Sequence, residues 1–184
     1  MSKFIKNKIL LEVIEWVITI AGMLVLVFAL RTFIFRTALV SGPSMEPTLF
    51  HDDRVIIFRL PYLFGDPSVN DIVAFPYKEN PSQYFIKRII GLPGDIVNIE
   101  NRRIVINGRE LEDKFSSEPL TSFGDTVFPL TVPNGRYFVL GDHRNSSNDS
   151  RFTAVGLISK SEMLGRVKLR YWPIRPVNRF GIIE

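Results

Sequence analysis

Two short segments carry side chains that could do covalent chemistry. The first is Ser41-Gly42-Pro43-Ser44-Met45-Glu46-Pro47-Thr48-Leu49. Pro43 and Pro47 fix φ on either side of Ser44 and stiffen the turn that presents its hydroxyl. On its own, such a serine reads as a turn former. The second is Tyr84-Phe85-Ile86-Lys87-Arg88-Ile89-Ile90, which runs into Gly91-Leu92-Pro93-Gly94-Asp95. Read as a strand, it puts Phe85, Lys87 and Ile89 on one face. Burial between apolar neighbours disfavours an ammonium and lowers its pKa, which is how a lysine becomes a general base. Arg88 cannot take that part, because a guanidinium stays protonated. The competing reading is a lysine that snorkels out of a half-buried face.

A third segment, Gly141-Asp142-His143-Arg144-Asn145-Ser146-Ser147-Asn148-Asp149-Ser150-Arg151, follows the apolar run Tyr137–Leu140. A loop this dense in hydroxyls and charges can set polar groups beside a site carried by a rigid strand. Read alone it is a solvated loop. Its two N-x-[ST] matches are discounted as frequent by chance.

Other chemistries find less support. Cysteine is absent, which removes disulfides, thiol nucleophiles and thiolate metal sites. There is no H-E-x-x-H, and Asp125-Thr126 is followed by Val127 rather than the glycine of an aspartic protease. A Ser-His-Asp hydrolase would need Ser44, His143 and Asp142 or Asp149, but no G-x-S-x-G elbow is present. The formal net charge of +4 is spread along the chain. That favours a mildly basic surface facing anionic lipid over nucleic-acid binding.

The elements that must position these groups fall into two parts. Residues 1–36 form the first. Lys3, Lys6 and Lys8 precede a charge-free apolar stretch from Trp16 to Leu30, and apolar character extends from Val13 to Ile34. Roughly 22 residues at about 1.5 Å each cover the bilayer core. Glu15 and Arg31 lie near its ends, where they can snorkel. No A-x-A-like site follows Leu30, so an uncleaved transmembrane anchor is expected rather than a removed signal peptide. The lysine-rich start predicts a cytoplasmic N-terminus with the remainder outside the plasma membrane.

Residues 37–184 form the second part, a single β-rich domain. Strands are expected over Thr37–Ser41, Arg54–Phe58, Asp71–Phe75, Tyr84–Ile90, Asp95–Ile99, Arg103–Ile106, Thr126–Thr131, Arg136–Leu140 and Arg166–Trp172. Asn101–Arg102 and Asn107-Gly108 are expected as hairpin turns. Only Ser159–Leu164 reads as a short helix, opened by a Ser159…Glu162 capping box. Tyr62–Asn70 is expected to be a mobile loop. The apolar insert Leu60-Pro61-Tyr62-Leu63-Phe64 is expected to pack inside, the alternative being that it rests on the bilayer. The fold class is mainly β: a coiled antiparallel sheet domain behind one N-terminal transmembrane helix.

Taken in order, the anchor, Ser-Met-x-Pro-Thr-Leu, the Lys-Arg strand closing in Gly-Leu-Pro-Gly-Asp, and Gly-Asp-x-Arg-x-x-Ser-x-Asp-Ser-Arg resemble the bacterial type I signal peptidases over residues 1 to about 172. The compact body resembles the shorter, Gram-positive-type members. The resemblance implies a membrane-bound serine endopeptidase that removes signal peptides from exported preproteins at A-x-A-like sites. It casts Ser44 as nucleophile and Lys87 as general base. Ser147 would orient the lysine amine. Asp149 with Arg151, and Asp142 with Arg88, would be ion pairs that hold the loop. The Ser44 backbone N–H would form part of an oxyanion hole. Many relatives place a second hydroxyl donor two residues before the nucleophile; that position is Gly42 here, and Ser41 is displaced by one. Thr37–Gly42 and Gln83–Ile86 would line a substrate added as an extra strand, with Met45, Leu49, Phe85 and Ile86 walling shallow pockets. The partners implied are preproteins and the lipid bilayer. No metal or organic cofactor is implied, because a Ser/Lys pair needs none. Self-cleaving repressors share this catalytic pattern but begin with a DNA-binding domain, where this chain has an anchor. A tethered, non-catalytic binding domain is the reading from another class.

Overall fold

The computed structural model describes residues 2–30, 34–116, 118–173 and 180–183, with side chains described from residue 11 onward. Arg31 and Phe33 therefore lie outside the described residues. The chain divides into two compact units, residues 1–35 and 36–184.

The first unit is a helix, α1 (Ser2–Ala29). Its segment Leu11–Ala29 has a mean hydropathy of 2.2 and none of its residues is buried in the protein. Trp16, Leu24 and Phe28 all point outward. A helix apolar on every side has no polar face to give water. At about 1.5 Å per residue, 19 residues match the thickness of a bilayer core.

The second unit is built from antiparallel strands. The larger sheet runs in the order β1 (Phe35–Leu39), β2 (Arg54–Phe58), β11 (Gly165–Trp172), β3 (Ile72–Tyr77), β4 (Asn80–Gly91), β9 (Arg136–Leu140), β10 (Ile158–Ser159), with β12 (Gly181–Ile182) on β11. The smaller sheet runs β7 (Arg109–Glu110), β6 (Arg103–Ile106), β5 (Ile96–Glu100), β8 (Leu130–Thr131). Val40, Met45, Leu49, Val55, Ile72 and Ile86 bury one core cluster. Val73, Phe75, Ile89, Tyr137 and Val139 bury a second. The β3–β4 hairpin contributes to both because successive side chains point to opposite faces.

Turn chemistry follows the residues. Asn101 (φ 48°) and Arg102 (φ 65°) join β5 to β6, and Asn107 (φ 52°) with Gly108 (φ 75°) joins β6 to β7. Both pairs have the two left-handed residues of a tight hairpin turn. Elsewhere the structure departs from expectation. Thr126–Thr131 pairs only at Leu130–Thr131, because Thr126 is drawn out of the sheet, its N–H bonding to Arg151 O at 2.9 Å. The Ser159 box is present, with Ser159 N–H donating to Glu162 Oε2 at 2.7 Å, but it opens a single 3₁₀ turn over Lys160–Glu162.

Leu60–Phe64 is a one-turn helix, α2. Pro61 sits in its first turn, where a missing N–H costs nothing. Only Tyr62 packs inside, its hydroxyl bonding to Asp71 at 2.9 Å. Leu63 and Phe64 are exposed, so the expectation of core packing fails for them. Tyr62 and Ser68 both bond Asp71, which ties down the segment expected to be a loop from Tyr62 to Asn70.

Candidate active site

Ser44 lies in the tight segment that follows β1. Glu46 N–H donates to Pro43 O at 3.0 Å and Leu49 N–H to Met45 O at 2.8 Å. That second bond winds Leu49 inward, and it is fully buried. Leu49 therefore supports the site from beneath and does not wall a pocket, a correction to its expected place. Met45 is also buried, but it lines the groove described below.

The inner half of β4 delivers Lys87 and Arg88 in register with β3, Val73 opposite Lys87 and Ile72 opposite Arg88. Lys87 is 3% exposed. Its Nζ is 2.7 Å from Ser44 Oγ and 3.1 Å from Ile86 O, and it lies 5.1 Å from the Phe85 ring centre. Burial lowers its pKa from 10.5 to about 8 against the pull of Asp149 and Asp142, with Arg151 assisting.

Arg88 points away from Ser44. It is fully buried and pairs with Asp142 through two bonds, Nε to Oδ1 at 2.8 Å and Nη2 to Oδ2 at 2.7 Å. Thr48 donates to the same Oδ2 at 2.5 Å, and the Phe115 ring covers the guanidinium at 3.4 Å. Arg88 also sits opposite Leu140, the last residue of β9, so this pair fixes the start of the loop that leaves β9. A second buried pair, Asp149 with Arg151, fixes its end, Nε to Oδ1 at 2.8 Å and Nη2 to Oδ2 at 2.9 Å. Asp149 Oδ2 also accepts the Gly141 N–H at 3.1 Å. Both pairs satisfy their charges with multiple bonds, as buried ions require.

Gly141 is where the loop meets the serine. A Cβ there would lie 2.3 Å from both Ser147 Oγ and Ser44 O, so only glycine fits. His143 N–H donates to Ser44 O at 3.1 Å. Ser147 Oγ is buried beside this contact with no hydrogen-bond partner; the bonds of Lys87 go to Ser44 and Ile86. His143 Nδ1 is likewise buried without a partner, so the histidine makes no bond to Ser44 Oγ. The Ser-His-Asp arrangement is not formed.

A groove of about 460 Å³ opens on Ser44 and Lys87. Residues 37–42 line it from one segment and 82–86 from another, and Met45 and Asn148 line it as well. Phe85 and Ile86 line it as expected. At Gly42 (φ 89°) a Cβ would meet nothing within 4 Å, and the Gly42 N–H donates to His51 Nδ1 at 3.2 Å. That amide is thus turned to a partner rather than into the groove. Thr48, Asn148 and Phe115 escaped the sequence reading. Thr48 sits inside the serine box and Asn148 inside the loop box, so both were in view. Phe115 lies in a segment with no periodicity to mark it.

The arrangement sets a serine hydroxyl against a buried, pKa-lowered amine in the groove. A family model for signal peptidase, peptidase S26, matches residues 13–172. The chain is 35% identical to signal peptidase I P of Bacillus subtilis subsp. natto over 170 residues, covering 89% of this chain and 91% of that one. It is 37% identical to a signal peptidase I of Leptolyngbya laminosa, covering 91% and 83%. A solved signal peptidase I from Enterococcus faecalis aligns at 35% identity with a TM-score of 0.47, over 55% of this chain and 96% of that one.

Proposed function

The chain belongs to the signal peptidase, peptidase S26 family, and from that premise we propose that it is a membrane-anchored serine endopeptidase that removes signal peptides from preproteins, with Ser44 as nucleophile and Lys87 as general base. The observation that carries the proposal is the 2.7 Å separation of Lys87 Nζ and Ser44 Oγ, with the amine buried.

In this reading the neutral Lys87 amine takes the Ser44 hydroxyl proton as Oγ bonds to the scissile carbonyl carbon. The oxyanion is met by the Ser44 backbone N–H, supported by its lack of any protein acceptor among the described residues. The resulting Lys87 ammonium returns its proton to the leaving amine as the C–N bond breaks. Water then enters and gives a proton to Lys87 as its oxygen bonds to the acyl carbon. The Lys87 ammonium returns that proton to Ser44 Oγ as the C–Oγ bond breaks, which frees the new C-terminal carboxyl group and restores both side chains. Arg88–Asp142 and Asp149–Arg151 hold the loop, and Ser147 offers its unpartnered hydroxyl to the amine.

Substrate enters as an added strand between residues 37–42 and 83–86. The shallow apolar walls Met45, Phe85 and Ile86 favour small side chains, which supports A-x-A-like sites. α1 crosses the plasma membrane with its N-terminus inside and the catalytic domain outside. It keeps the site near emerging signal peptides and raises their effective concentration.

The test is cleavage of a purified preprotein bearing an A-x-A site by the detergent-solubilised full chain. Ser44→Ala and Lys87→Met are expected to abolish cleavage, and His143→Ala to retain it. Cleavage that survives Lys87→Met but is lost in His143→Ala would replace the lysine mechanism with a histidine one. No cleavage by folded wild type would favour a tethered binding domain.

A further inference from the structure

A second cleft, of about 300 Å³, opens beyond the catalytic pair, and none of the roles above uses it. Its lining includes Glu46, Pro47, Phe50, Phe115, Glu118 and His143, together with Ser116 and the Asp142 that pairs with Arg88. Two features join it to the substrate path. The groove wall running through residues 37–42 to Ser44 and Met45 continues directly into Glu46 and Pro47. On the other side, His143 is bonded through its N–H to the Ser44 carbonyl. A chain laid in the groove with its scissile bond at Ser44 therefore leaves the reaction centre toward this cleft. An extended chain rises about 3.3 Å per residue, so the first three residues after the cut reach about 10 Å beyond Ser44.

The cleft has a definite chemistry. Phe50, Phe115 and Pro47 give apolar walls, and Glu46 and Glu118 give negative charge at the rim. Neither glutamate is in an ion pair among the described residues. The cations nearby are already matched, Arg88 by Asp142 and Arg144 by Asp113. His143 Nδ1 is a buried polar atom with no partner. Apolar walls with an acidic rim suit the methylene stem and terminal charge of lysine or arginine, and they repel aspartate or glutamate.

Resting on the signal-peptidase reading, we propose that this cleft binds the first residues of the mature protein and selects for a basic side chain, and against an acidic one, within three positions after the cut.

The experiment uses the detergent-solubilised full chain and one preprotein carrying Lys, Ala or Glu at the second and third mature positions. Wild type is expected to cleave in the order Lys, Ala, Glu, with kcat/KM for Lys and Glu differing about tenfold at low salt and less at high salt. Glu46→Lys with Glu118→Lys is expected to invert the order, a result that partial misfolding cannot produce. Equal rates for the three substrates in wild type, or an order unchanged by the double charge reversal, would overturn the proposal. If wild type cleaves none of them, the signal-peptidase reading falls and this subsite with it.

Discussion

Lys87→Met should make the protein inactive and, at neutral pH, more stable. A lysine that is 3% exposed carries its charge at a cost. Burial holds its folded pKa at about 8, against 10.5 for an ordinary lysine. Below pH 8 the folded state pays the full difference, about 3 kcal/mol. The sign follows from proton counts. Between pH 8 and 10.5 the unfolded chain holds more protons on this residue than the folded one, so stability rises with pH and the penalty fades. At pH 6 it is essentially complete; at pH 9.5 about 1 kcal/mol remains. Methionine fills a similar volume without charge. It loses the bonds to Ser44 Oγ and Ile86 O, a change on the order of 1 kcal/mol. The variant should therefore exceed wild type by about 2 kcal/mol at pH 6, which is about 5 °C in Tm for a body of this size. The margin should shrink by about 2 kcal/mol at pH 9.5. Thermal melts of both detergent-solubilised proteins at the two pH values measure it. A difference that stays the same at both would show that Lys87 is not a strained buried amine, and the argument for it as a base would lose its physical footing.

Three further outcomes are expected. Cleavage by wild type should rise with pH through about 8 as Lys87 loses one proton; a flat profile would count against the assignment. Ser147→Ala removes a buried hydroxyl that has no partner, so it should cost little stability while lowering kcat by about 10²-fold; equal loss of fold and activity, seen by comparing melts with kcat, would make the role structural. Gly141→Ala drives a methyl to 2.3 Å from both Ser44 O and Ser147 Oγ, so it should displace the loop, destabilise by about 1–3 kcal/mol and cut kcat/KM by about 10²-fold. Unchanged kinetics would mean that the loop and serine are not mechanically joined.

Much of this architecture was legible in the residues. Arg54–Phe58, Arg103–Ile106 and Arg136–Leu140 form strands with the expected bounds, because β-branched and aromatic runs there end in sharp punctuation. Asn101–Arg102 and Asn107-Gly108 formed the expected turns, since asparagine and glycine tolerate positive φ. What failed was where local pattern competes with long-range partners. Thr126 had the composition of a strand, but the Arg151 carbonyl took its N–H. Leu60–Phe64 looked like core because it is apolar, yet a one-turn helix can bury only one side, and Tyr62 occupies it.

The candidate site divides the same way. Read singly, Ser44 and Lys87 looked ordinary; it was the resemblance carried by the ordered motifs that singled out Ser44, Lys87 and the two Asp/Arg pairs, while the charge-free stretch sufficed to single out a helix of membrane length. The sequence could not bring Lys87 Nζ to 2.7 Å from Ser44 Oγ, 43 positions away. Nor could it sink Leu49 beneath the groove while leaving Met45 in its wall, or close Phe115 over Arg88. Those are consequences of strand register, of a glycine too crowded for a methyl, and of buried charges that must find partners. They depend on which surfaces meet, which only the packed chain decides.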